Sequence, residues 1–155
     1  MQPRGSPMDA APILICYDGS DGARHAIEAA AGLFDGHPAV VLAVGPPLTA
    51  AESYAALGPM TPSFEQLNED DAMDRAKAGA EVARGAGFTA EARADIAAPT
   101  WEGVIKVADE IDAAVIVVGS RGLTGVKEAL EGSVSHAVAE HAGRPVLIVP
   151  PARPA

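Results

Sequence analysis

The stretch AAVIVVGSRGLTGVKEALEGSVSHAVAEH, residues 113–141, passes from a continuous Val/Ile run through a glycine-rich segment into a helical pattern. A short apolar run without alternation is what a parallel strand covered on both faces requires. Gly119 and Gly122 let the chain leave that strand in a tight turn, with its backbone close to a ligand where a Cβ would collide. Gly132 and Ser133 then open a helix over Ser133–His141. Its first amides lack intrahelical partners and stand at the positive end of the helix dipole, which suits them to phosphate oxygens, and the Ser133 hydroxyl adds a donor. The bland alternative, glycines that only make turns and a Ser133 that only caps, uses the same residues.

Working outward, four further apolar runs read as strands: Ile13 to Tyr17, Ala39 to Val44, Phe88 to Ile96 and Pro145 to Val149. Phe88, Ala90, Ala92, Ala94 and Ile96 alternate with polar residues, which places the third strand nearer an edge. Helical patterns fall between them, over roughly Gly22 to Leu33, Gln66 to Arg84 and Thr100 to Glu110. Strands alternating with helices predict an α/β fold: a doubly wound, five-stranded, mainly parallel sheet with about four helices and right-handed crossovers. Such sheets bind ligands beyond the carboxyl ends of strands where the strand order reverses, here between the first and fourth strands.

The chain has 155 residues, enough for one domain, expected over residues 11–150 with flexible tails at 1–10 and 151–155. A proline-rich loop, Gly45 to about Glu65, reads either as a lid or as a disordered insertion. Lysine plus arginine number 11 against 21 aspartates and glutamates, a net charge of −10. That charge argues against nucleic acid and anionic membranes as partners, because both need basic patches. A polyanionic ligand must then be held by a local device working against the global field. No run approaches the roughly 18–20 apolar residues of a membrane span, and the amino terminus lacks the apolar stretch of a secretory signal, so a cytoplasmic location is expected. The single cysteine, Cys16, falls inside the first strand and is expected to be buried and inert.

Gly119, two residues, Gly122, nine residues, Gly132 and Ser133 form a pattern that resembles the phosphate motif of ATP-binding members of the universal stress protein family. The likeness extends from ILICYDGS at the first strand, through VIVVGSRG at the fourth, to GSVSHAVAEHAGRPVLIVPP. It implies a Rossmann-like sheet of the adenine nucleotide alpha hydrolase type. Carried over residue by residue, it implies that Asp18 contacts the adenine and Val44 packs on the ring. It places Val118 and Gly119 along the ribose, and Gly122, Gly132, Ser133 and the Val134 amide on the phosphates. A carboxylate suits an exocyclic amine and a branched apolar side chain suits the face of a base. Asp18–Gly19–Ser20 also reads as a capping turn into the first helix. The resemblance further implies a homodimer through the Val146–Val149 strand, whose unpaired edge would join a second copy.

Glu131 stands directly before Gly132, where the family more often has an apolar residue. A carboxylate there repels phosphate unless it turns away or holds Mg²⁺. Ala43 stands where many relatives have histidine. Arg121 and Lys127 could offset phosphate charge or be solvated. His136 and His141 fall five apart, off the spacing that puts two ligands on one helix face, and His25 and His37 lie in distant segments, so no metal site is expected. Asp18 and Glu131 would form a carboxylate pair only if folding joined them. The segment DGSDGARH after the first strand is not a dinucleotide fingerprint, and GSRGLTGVKEA lacks the Lys-Ser/Thr of a Walker loop.

These readings lead to an ATP-binding regulatory or stress-response module without catalytic residues and at most slow hydrolysis, Mg²⁺ being compatible with it. The alternative is a nucleotide-free interaction protein of the same fold, acting by dimerisation. An enzyme of adenylate chemistry rests on fold analogy alone.

Overall fold

The computed structural model describes residues 10–47, 64–120 and 133–153. The chain runs β1 (Ile13–Cys16), α1 (Asp21–Leu33), β2 (Ala39–Gly45), α2 (Phe64–Gly85), β3 (Ala90–Ile96), α3 (Thr100–Ile111), β4 (Val115–Gly119), α4 (Ser133–His141) and β5 (Val146–Val149). The expected elements are all present, with ends displaced by at most two residues, as fraying ends usually are. Most of the proline-rich segment, the outer tails and the stretch of sequence with Arg121, Gly122, Lys127, Glu131 and Gly132 lie outside the described residues.

All five strands are parallel, in the order β3-β2-β1-β4-β5. Order reverses between β1 and β4, so the ends of these two strands form the crevice expected from the sequence. The alternating residues of β3 are explained by its place at the edge.

Strand periodicity divides the core in two. Ile13 and Ile15 of β1, and Tyr17 just beyond it, face one cluster with Ala23, Ala26 and Ile27 of α1 and Ala80 and Ala83 of α2. Leu14 and Cys16 face the other, with Leu42, Ile116 and Val118 from neighbouring strands, Val104 and Val107 of α3, and Val138 of α4. Every side chain of β1 is buried on one face or the other, which is why its sequence shows no alternation. Helix α2 approaches the sheet closely through Gly79, where a Cβ would stand 2.6 Å from Cδ1 of Tyr17 and 2.7 Å from Cγ1 of Val41. Arg144 fastens the start of β5, its Nη1 donating to the Ala113 carbonyl at 2.6 Å and its Nη2 to Asp109 Oδ1 at 2.7 Å.

Candidate nucleotide site at the strand ends

The site is built outward from β1. Beyond Cys16, Tyr17 still donates to the Leu42 carbonyl at 2.8 Å, and the chain then turns through Gly19, whose φ of +87° suits glycine. Ser20 caps α1, its Oγ accepting from the Ala23 amide at 3.1 Å. Asp18 supports that cap with one oxygen only: Oδ1 accepts from the Ser20 amide at 2.9 Å. Its Oδ2 is buried and has no hydrogen-bond partner among the described residues. The capping turn and the ligand-facing acceptor are therefore not rival accounts of Asp18, since each uses a different oxygen. An unpaired buried acceptor carries a desolvation cost of about 1–3 kcal/mol, more when charged.

The carboxylate also leaves a mark on its neighbour. Burial first, and then the nearby Asp18, push the Cys16 thiol up to about 12, so the expected inert thiol is what the fold produces.

Val44 stands near the end of β2, partly buried and packed against the same cluster as Cys16 and Val118. The Val118 side chain is wholly buried, so only its backbone can meet a ligand at the end of β4. Gly119 ends that strand, also buried, and the Ser120 amide donates to the Val149 carbonyl at 2.9 Å. Ser133 begins α4, and the partly buried Val134 packs against the cluster that Val44 joins. Asp18, Val44, Val118, Gly119 and the first residues of α4 thus come from strand ends and a helix start, with Val44, Val118 and Val134 sharing one cluster. Gly122, Gly132 and the Ser133 hydroxyl are outside the described residues.

Two neighbours of Val44 were not singled out in the sequence. Asp95 is its register partner on β3. Its Oδ1 accepts from Lys106 Nζ at 3.1 Å, while its Oδ2 is buried without a hydrogen-bond partner among the described residues. Gly103, in the first turn of α3, packs against both residues. A glycine inside a helical pattern was the available signal, since it costs about 1 kcal/mol relative to alanine and points to a close approach.

The histidines serve elsewhere. His141 stacks on Trp101 with ring centroids 4.5 Å apart, His37 Nδ1 lies 3.0 Å from the Ala11 carbonyl oxygen, and no group of metal ligands forms among the described residues. A cavity of about 400 Å³ lies between α2 and β3, lined by Gln66, Glu69, Asp70, Met73 and residues 94–96. It does not include Asp18, Val44 or Gly119. No helix among the described residues is long and apolar enough to cross a membrane.

A parallel five-stranded α/β sheet with its crevice at the β1/β4 reversal defines the class: a doubly wound, Rossmann-like domain. The sequence pattern of the Universal stress protein family matches residues 11–150, and the chain belongs to that family. It is 30% identical over 138 residues to a putative universal stress protein of Staphylococcus saprophyticus, covering 88% of this chain and 81% of the relative. A universal stress protein of Bacillus subtilis is 50% identical over 46 residues, 30% of this chain and 31% of that one. Among solved structures, a universal stress protein in complex with cAMP superposes with a TM-score of 0.68 at 22% identity, covering 92% of this chain and 100% of that one. The universal stress protein from Archaeoglobus fulgidus in complex with dAMP gives 0.62 at 22% identity, with 92% and 99% covered.

Proposed function

We propose that the chain is an ATP-binding regulatory module, holding the nucleotide at the carboxyl ends of β1, β2 and β4 and turning it over slowly or not at all. The observation that carries this reading is the buried Oδ2 of Asp18, which has no hydrogen-bond partner among the described residues, an acceptor at the strand-order reversal with the apolar Val44 on the neighbouring strand. An exocyclic amine supplies the missing donor, and the base covers Val44. The phosphates fall to Gly122, Gly132, Ser133 and the Val134 amide, where the dipole of α4 offsets their charge, with or without Mg²⁺. Adenine nucleotides in two structural neighbours, cAMP in one and dAMP in the other, support the ligand class. The reading assigns no catalytic residue. It places the protein in the cytoplasm and gives β5 to a second copy of the chain.

Asp18→Asn separates ligand binding from folding. The amide keeps an oxygen for the Ser20 N–H but turns its NH₂ toward the base, opposing donor to donor. Calorimetry with ATP, ADP and AMP in the presence of Mg²⁺ should show micromolar ATP binding by the wild type. It should show a loss of at least about tenfold in Asp18→Asn, equivalent to about 1.4 kcal/mol, with no fall in the melting temperature of the free protein, and loss of ATP binding in Gly132→Ala. No binding by the wild type, with no nucleotide carried through purification, overturns the reading. It would leave the interaction module acting through β5, which the 40% exposed Ile148 on that strand favours.

A further inference from the structure

The first turn of α3 rests on Val44 with no side chain between them. A Cβ placed on Gly103 would stand 2.8 Å from the Ala97 Cβ, 3.1 Å from Asp95 Oδ2 and 3.3 Å from Val44 Cγ1. All three distances are shorter than ordinary van der Waals contact, so a methyl group there forces a neighbour to move. Ala97 is poorly placed to yield, because it lies in the short β3–α3 connection and its amide donates to the Gly45 carbonyl at 3.0 Å. Asp95 is held through Lys106. Val44 is β-branched and stiff at χ1, but it is only partly buried and has space on its exposed side.

We infer that Gly103 is a positioning residue for the base: its missing Cβ sets how far Val44 stands out at the end of β2, and thereby the affinity for the base rather than for the phosphates. This rests on the nucleotide reading above. The register adds to it, since Val44 and Asp95 are paired across β2 and β3 and the same bare Cα seats on both. Helix propensity alone would favour alanine at this place by about 1 kcal/mol. Close packing against the two strands outweighs that preference.

The test uses ATP and ADP, which share a base and differ in phosphate number, with Gly103→Ala and the double variant Ala97→Gly/Gly103→Ala. The double variant relieves the 2.8 Å approach to Ala97 but retains those to Asp95 and Val44. The expected weakening is about fivefold or more, the equivalent of the lower end of an overpacking cost if it falls on the base contact. Calorimetry should show Gly103→Ala losing ATP and ADP by the same factor. The double variant should melt closer to the wild type yet remain about fivefold weak. Wild-type affinity in either folded variant overturns the inference, as does a loss that grows with phosphate number. A wild type that binds neither nucleotide overturns the nucleotide reading itself, an outcome separate from the others.

Discussion

Single side chains in this domain are governed by how closely helices approach the sheet. Gly79 shows the balance in numbers. Alanine would raise the helix propensity of α2 by about 1 kcal/mol, but its methyl would fall 2.6 Å from the Tyr17 ring and 2.7 Å from Val41, and overpacking of a tight core costs about 1–3 kcal/mol. Packing prevails, so Gly79→Ala is expected to lower stability by about 1 kcal/mol net, read from the midpoint of urea unfolding; an unchanged or raised midpoint would refute it. Cys16 offers a second check. Its folded value of about 12 lies above the reference 9.0 of an exposed thiol, so the native state holds the proton more tightly than the unfolded chain. The stability gained this way is complete below about 9 and is lost as pH climbs toward about 12. Ellman's reagent at pH 8 should leave the native protein unmodified and label it fully in denaturant, and unfolding free energy should fall as pH rises above 9. Rapid labelling of native protein at pH 8 would contradict both the burial and the shift.

At the scale of elements, the two edges of the sheet differ in kind. On β3, Glu91, Arg93 and Asp95 interrupt the apolar residues, and Arg93 and Asp95 are tied to Glu110 and Lys106 of α3. Charges on an edge deter pairing with another chain. Strand β5 reads VLIV without a charge, and Ile148 is 40% exposed, which is why the proposed dimer is assigned to this edge. Ile148→Lys is expected to convert a dimer into a monomer in light scattering after size exclusion. A monomeric wild type at micromolar concentration would remove β5 as an interface. The elements themselves were legible because their signals are local: unbroken Val/Ile runs for β1 and β4, alternation for the edge strand β3, and alanine-rich helical spacing between. The contacts of Gly79, Gly103 and Asp95 were not legible, because each depends on a partner far away in sequence. Asp18 was legible as a residue but not in its division of labour, since only geometry shows one oxygen in the capping turn and the other without a partner among the described residues.

For the whole molecule the deciding quantity is charge. A net −10 repels a nucleotide of the same sign at a distance, whereas the groups assigned to the ligand act only in contact. Salt separates the two ranges, for the Debye length falls from about 30 Å at 0.01 M to about 8 Å at 0.15 M ionic strength. Added salt therefore screens the repulsion between ATP and the protein's negative charge, including the acidic first half of α2 with Glu69, Asp70, Asp71 and Asp74. It leaves largely intact the proposed hydrogen bond to Asp18 and the proposed contacts of the helix-start amides with the phosphates. Steering of this kind acts on the association rate more than on dissociation. Stopped-flow measurements with ATP at fixed Mg²⁺ are accordingly expected to show the association rate rising as KCl goes from 10 to 150 mM, by about twofold or more, with little change in dissociation. A rate that falls with salt would show that local cations, with Arg121 and Lys127 of the glycine-rich sequence the first candidates, outweigh the acidity of the rest of the molecule, and that the site draws its ligand in by attraction at long range.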